Sequence, residues 1–506
     1  MNIKLVTRVV GSLLILVGIV MMTSVLVSWL MGDSHTVIFR LFTSSAIVIA
    51  FGGLVRYFSR NCSVVFGFRE GFGIVTFGWL FAAIFGALPY VLVSYFNWYD
   101  AFFETMSGFT TTGSSVIDNG LVLMAGAKLQ HGLKSIPYGL LYWRSVTHWL
   151  GGMGIVVLSL AILPSLGISA QQLYIAEVPG PTQDQITPRI ASSAKILWGV
   201  YVLFTVLEVI FLSAGGMSLF DSWCTTCGTM ATGGFSTQQA SIGAYNSLYI
   251  DIIVTVFMFL AGTNFVLHYR FLRGKPLFHF KDEEFRFYLF ITIFAIISMT
   301  LFLKGREIIT TTGATISHPG FLESLRYSSF QAVSILTTTG FTTADFNQWP
   351  AYCALLLIGL MFLGGCGGST GGGMKNSRVL LLIKYAIYQI ERRIFVRSLP
   401  NVKLNKHRIT EVVLNRTVVF FFIFVATFVV FTLLLCCLGV NDIVTAFSAS
   451  IASLSNIGPG LGMVGATSTY AWMSPAAKVS LSLEMLMGRL ELYTVLVIFL
   501  PTFWKR

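Results

Sequence analysis

Ten stretches of this chain are apolar over roughly the length a helix needs to cross a bilayer, about 20 residues. They run Val9–Met31, Val37–Tyr57, Phe72–Tyr95, Leu141–Pro164, Ile196–Ala214, Tyr249–Leu267, Phe285–Leu303, Ala351–Gly365 continued by Val379–Ile390, Val418–Leu438 and Val479–Leu500. Backbone in hydrocarbon must satisfy its own polar groups, so such stretches read as helices. The first is too long for a secretory leader and lacks a small-residue cleavage site, so it reads as a helix too. Only 11% of the 506 residues are charged, against about 25% in soluble domains. An ordinary soluble enzyme, a disordered chain and a disulfide-stapled secreted module are excluded.

The net charge of +12 does not mark a nucleic-acid surface, because the basic residues flank the apolar runs. With a cytoplasmic N-terminus, 24 of the 33 Lys and Arg fall on the inner side, 8 on the outer, and Arg489 within the last run. The positive-inside rule then places both termini in the cytoplasm. The segment Lys375–Arg408 holds nine inner charges, suited to anionic membrane lipid or to a regulatory partner. Cys224 and Cys227 form a C-x-x-C with no second pair, and read as small packing residues. His131 and His148 have no catalytic company, so no enzyme is expected.

Four outer connections share one pattern. Each holds an apolar stretch too short to span, then a turn rich in Thr, Ser and Gly. The turns are T-T-T-G-S at Thr110–Ser114, A-T-G-G-F at Ala231–Phe235, T-T-T-G-F at Thr337–Phe341 and S-N-I-G-P at Ser455–Pro459. Aligned on Gly113, Gly234, Gly340 and Gly458, they place an aromatic 10 or 11 positions upstream: Phe103, Trp223, Phe330 and Phe447. Asp100 and Asp221 stand 13 positions upstream, where they could cap a short helix. Asp442 stands 16 before its glycine, so the fourth copy is looser. The unit is helix, short re-entrant helix, glycine turn, helix, four times over, with two spans preceding it. Irregular backbone at membrane depth must be buried or line a watery cavity. Four such turns on one side can converge so that carbonyls replace a cation's hydration shell. Glycine supplies the positive φ this needs. With no acidic ring, the leading ion is a large, easily dehydrated monovalent cation, K⁺.

The run Gly364–Gly373 holds seven glycines and interrupts the eighth span. Met374 before Lys375, and Asn376 after it, break the phosphate-loop pattern. Glycine weakens a helix by roughly 1 kcal/mol relative to Ala. The reading is an intramembrane gate of Gly364, Gly365, Gly367, Gly368, Ser369, Thr370, Gly371, Gly372 and Gly373. A flexible kink between half-helices is the plainer alternative. Arg489 at membrane depth costs at least ~2.5–3.5 kcal/mol. It reads either as an ion pair with Glu484 or Glu491 or as a positive charge beside a pore. Arg144 and His148 read as interfacial anchors, and Glu208 as packing on a polar neighbour.

On these four turns the chain resembles the bacterial Trk/Ktr potassium-uptake pore subunits, more closely their TrkH branch than KtrB, over essentially its full length. The N-I-G-P-G run near Asn456 is the mark of that branch. The resemblance implies an all-α polytopic membrane protein: two N-terminal helices, then four pseudo-symmetric helix–pore loop–helix repeats around one pore. The expected division is 1–65 for the helix pair, then 66–170, 171–275, 276–400 and 401–506 for the repeats. Filter positions carry over to Thr111, Thr112, Gly113; Thr232, Gly233, Gly234; Thr338, Thr339, Gly340; and Asn456, Ile457, Gly458. K⁺ is the implied bound and transported ion, with no covalent cofactor. A homodimer in the bacterial inner membrane and a cytoplasmic RCK-type, TrkA-like nucleotide-binding regulator are implied as well. The competing class is a sodium-coupled transporter of a small solute, which needs a midplane pocket and inverted halves. Four repeats of one orientation oppose it.

Overall fold

A computed structural model describes residues 1–60, 67–124, 126–154, 190–275, 277–394, 402–405 and 407–504. The second half of the fourth expected span, Cys62, and the charges Arg189, Arg397, Lys406, Lys505 and Arg506 lie outside the described residues.

Helices α1 (Ile3–Leu30) and α2 (His35–Phe58) run antiparallel. They cross at Gly11 and Gly52, where a Cβ on either glycine would stand 2.7–2.8 Å from the other's carbonyl oxygen. Small residues permit this approach, which membrane helices use in place of hydrophobic burial.

Four units follow, each a long helix, a short helix and a closing helix. The first has α3 (Phe68–Gly86) continued by α4 (Leu88–Ser94), then α5 (Trp98–Phe109) and α6 (Tyr138–Gly152). The second has α7 (Ile190–Ala214), α8 (Leu219–Ala231), α9 (Leu248–Ala261) and α10 (Phe265–Leu272). The third has α11 (Glu283–Leu303), α12 (Phe321–Leu336), α13 (Ala351–Phe362) and α14 (Asn376–Ile394). The fourth has α15 (Glu411–Cys437), α16 (Ile443–Leu454) and α17 (Pro475–Arg489). Two hairpins sit outside the helices: β1 (Ile308–Ile309) with β2 (Thr315–Ile316), and β3 (Lys403–Leu404) with β4 (His407–Arg408).

The short helices start differently from expectation. Asn97 is the N-cap of α5, and Asp100 lies in the first turn, paired with Lys478 at 2.6 Å. Ser218 caps α8 and accepts from the Asp221 N–H at 3.0 Å. Among the three aspartates only Asp442 is a cap, accepting from Thr445 N–H at 2.9 Å. A short polar cap and an acidic residue one turn later serve the same helix end, so spacing alone does not tell them apart.

Six described helices are long and apolar enough to cross a membrane, and α9 with α10 makes a seventh if counted as one bent span. The sixth expected span is therefore not straight: it bends by 102° between Ala261 and Phe265. The last expected run likewise stops at Arg489, followed by positive φ at Glu491 and Leu492. The closing helices end at Gly152, Ala261, Phe362 and Arg489, and a glycine stands within two residues of each end. Only the break after Phe362 is expected from the sequence, through the run Gly364–Gly373; one or two glycines elsewhere leave an apolar run unmarked.

A ring of four turns above a glycine loop

Each short helix ends in the same cap. The N–H groups of Thr112, Gly233, Thr339 and Ile457 donate back to the carbonyls of Ser107, Gly228, Ser334 and Ala452 at 2.8–2.9 Å. The residue before each donor is left-handed: Thr111 (φ 54), Thr232 (55), Thr338 (60) and Asn456 (55). This is the six-to-one bond of a Schellman cap, whose left-handed position usually takes Gly. Here three of four are threonine, a β-branched residue for which positive φ is a true outlier. Two residues on, Gly113, Gly234, Gly340 and Gly458 are left-handed as well, with φ 82, 78, 80 and 101.

The turns contact one another in a closed cycle. A Cβ on Gly113 would fall within 3.0 Å of the Gly233 carbonyl oxygen, and one on Gly234 equally close to that of Thr339. One on Gly340 would meet the Ile457 oxygen, and one on Gly458 the Thr112 oxygen. The order is thus first, second, third, fourth and back to first. All four glycines line one solvent-open cavity of about 90 Å³ with Ser114, Ser236, Thr342 and Tyr470. In the first and third turns paired hydroxyls stiffen the loop, Thr110 with Thr112 at 2.8 Å and Thr337 with Thr339 at 2.7 Å. In the fourth, Asn456 reaches instead across the seam, donating Nδ2 to Thr112 Oγ1 and to the Met485 carbonyl, both at 2.9 Å.

The glycine run packs beneath this ring. Gly364 N–H donates to Met374 O at 3.0 Å, and Asn376 Nδ2 to Gly364 O at 2.6 Å, closing the loop's base. Cys366 N–H donates to Gly262 O at 2.8 Å, in the α9–α10 break. Gly372 N–H donates to Thr338 Oγ1 of the third turn at 2.6 Å. A Cβ on Gly372 would come within 3.0 Å of Ser455 O, at the fourth turn. The Lys375 ammonium donates to Gly371 O. From the other side Arg489 donates Nη1 to Thr370 O at 2.7 Å, and Nη2 to Gly151 O and Gly152 O at 2.5 and 2.9 Å. One guanidinium thus spans from the loop to the end of α6. Glu491 pairs with Arg378, and Glu484 accepts from Ser450 Oγ at 2.6 Å.

The TrkH family model, described as a cation transport protein, matches residues 37–506. The Trk system potassium uptake protein TrkH of Salmonella typhimurium is 38% identical over 510 residues, spanning 100% of both chains. The chain belongs to the TrkH family. TrkH of Escherichia coli K12 is also 38% identical over 100% of both chains. The crystal structure of the potassium transporter TrkH from Vibrio parahaemolyticus aligns with TM-score 0.85 at 34% identity, covering 100% of each chain. The fold is accordingly that of an all-α, multi-pass membrane protein, and this TrkH-family chain is a transport protein, not an enzyme.

Its ring is braced by residues that the sequence reading placed elsewhere. Arg144 and His148 are not interfacial anchors; they are 3% and 0% exposed. Arg144 Nε pairs with Glu104 at 2.7 Å, its Nη1 donates to Ser236 O at 2.9 Å, and its guanidinium lies 3.5 Å over the Phe235 ring. Glu104 also accepts from Val116 N–H at 2.9 Å and Ser115 Oγ at 3.0 Å, just past the first turn. His148 Nε2 accepts from Phe235 N–H at 3.2 Å while Nδ1 donates to Gly108 O at 2.7 Å, a neutral tautomer joining turns one and two. The available signal was complementary charge in two neighbouring apolar segments, which at membrane depth points to a buried pair.

Proposed function

We propose that this chain is the K⁺-conducting subunit of a potassium uptake system. The four turns are its selectivity filter: Thr111–Gly113, Thr232–Gly234, Thr338–Gly340 and Asn456–Gly458. The closed cycle of glycines against neighbouring carbonyls carries this reading, since it brings one carbonyl from every turn into one ring. Such carbonyls take the place of a cation's water shell. The short helices end at the ring, so their C-terminal dipoles present partial negative charge to it, which favours a cation without an acidic side chain. Arg489 is the opposing charge beneath the filter, and the loop Gly364–Gly373 is the gate. A membrane potential of about 100 mV supplies ~2.3 kcal/mol per charge for entry, so no nucleotide site is needed in this chain. We further propose a homodimer in the bacterial inner membrane with both termini cytoplasmic, governed by an RCK-type nucleotide-binding partner. The relatives, which are Trk system potassium uptake proteins, support the ion, and the basic loops support the orientation.

The test is cation influx into proteoliposomes with K⁺, Rb⁺, Na⁺ and Li⁺, comparing the protein with Gly113→Ser. Influx of K⁺ and Rb⁺ that loses preference in the variant is expected. No influx of any cation, or identical preference in the variant, would overturn the filter.

A further inference from the structure

The glycine loop is also fastened from a third direction. Glu284 lies in the first turn of α11 and is buried. Its Oε1 accepts from Gly367 N–H at 2.7 Å, within the loop, and from Ser377 N–H at 2.8 Å, in the first turn of α14. The first amides of a helix lack intrahelical partners, so a carboxylate there satisfies a donor and meets the positive end of the helix dipole. A single oxygen thereby ties the loop to the helix that follows it.

The residues beside Glu284 lead away from the pore. Asp282 caps α11 and accepts from Phe285 N–H at 2.8 Å. Its other oxygen accepts from Asn405 Nδ2 at 2.7 Å, and Asn405 Oδ1 accepts from Glu283 N–H at 2.8 Å. Asn405 lies at the tip of the β3–β4 hairpin with φ 50. Glu283 pairs with Lys384 of α14, which also donates to Lys403 O at 2.8 Å. Leu404 and Ile409 pack with Leu381 and Tyr388 of α14 in one apolar cluster. Lys403, Asn405, His407 and Arg408 are exposed, so the hairpin is open to load.

We propose that Glu284 is a latch holding the glycine loop beneath the ring, and that the β3–β4 hairpin is the handle through which it is released. It is a positioning residue: it touches the loop and not the ion. The inference rests on the gate reading of that loop. Displacing the hairpin pulls on Asp282 and Glu283, withdraws the carboxylate, and frees Gly367 and the start of α14 together.

The experiment is K⁺ and Na⁺ influx into proteoliposomes holding this chain alone. Glu284→Ala removes the acceptor that both amides share and raises K⁺ influx about tenfold. Glu284→Gln keeps an oxygen for both amides and stays within about twofold of the unsubstituted protein. Asn405→Ala, exposed and distant from the loop, raises influx about threefold. The K⁺/Na⁺ ratio stays unchanged in all three, which general loss of structure would not preserve. A variant lacking residues 366–371 separates the two readings. If its influx does not rise, the gate reading fails. If it rises while Glu284→Ala and Asn405→Ala leave influx unchanged, the gate stands and the latch is overturned. Equal influx from Glu284→Gln and Glu284→Ala also overturns the latch. Should Glu284→Ala not fold, Asn405→Ala decides.

Discussion

Threonine in a left-handed turn is costly, by the order of 1–3 kcal/mol per residue, and persists only where its surroundings enforce it. Thr111, Thr232 and Thr338 all carry that strain at equivalent points. The buried pair behind the first turn is part of what enforces it. Glu104→Ala or Arg144→Ala alone leaves a buried charge uncompensated and is expected to cost about 3–5 kcal/mol in unfolding free energy. Replacing both by Met recovers a substantial part of that loss. A double-mutant cycle on thermal unfolding in detergent checks this; full additivity would mean that the pair is not coupled. The seam between the fourth and first turns rests on Asn456. Asn456→Ala removes its bonds to Thr112 and Met485 and is expected to lower stability by about 1–3 kcal/mol. The same variant is expected to weaken K⁺/Na⁺ preference, measured by paired influx assays. The glycine alignment was legible in the chain because turn chemistry is local: positive φ demands glycine at one position in each copy. The left-handed threonines were not, because propensity argues against them and tertiary contacts impose them. Arg144 and His148 were misplaced for a related reason: their partners Glu104, Ser236 and Phe235 lie on other elements.

Among elements, the closing helices decide what can sit beneath the ring. Their breaks free backbone carbonyls at one level, and Arg489 collects three of them. Glycines also let these helices touch the ends of the short ones. A Cβ on Gly151 would fall within 3.0 Å of Phe109 O, and one on Gly488 within 3.0 Å of Leu454 O, the last residues of α5 and α16. Gly488→Ala is therefore expected to destabilise by about 1–3 kcal/mol through overpacking against rigid backbone. Unfolding midpoints of Gly488→Ala beside Gly53→Ala, whose Cβ meets open space, test it. A loss no larger at Gly488 than at Gly53 refutes the contact. The long helices are legible as uniform apolar runs and the break between α13 and α14 as a cluster of seven glycines, whereas the ends of α9 and α17 inside apolar runs are not, because one or two glycines leave such a run unmarked.

For the molecule as a whole, charge placement predicts topology. A fluorescent protein fused to either terminus is expected to be bright, and alkaline phosphatase at the same points inactive, when expressed in bacteria. The opposite pattern at either end would overturn the assigned orientation. The sequence count of outer charges included Arg144 and Lys478, yet both are buried and paired, with Glu104 and with Asp100. On the inner side Lys375 and Arg378 are likewise buried, so the inner excess is unchanged. The ring has a consequence for biosynthesis. Asp100 enters the membrane with the first unit, but Lys478 follows 378 residues later. Thr112 waits 344 residues for Asn456. A chain inserted from its N-terminus must therefore shelter an unpaired carboxylate and an open turn through nearly the whole of translation. The last unit to leave the ribosome is what lets the first one finish folding, and truncation near the C-terminus unsettles the earliest residues made.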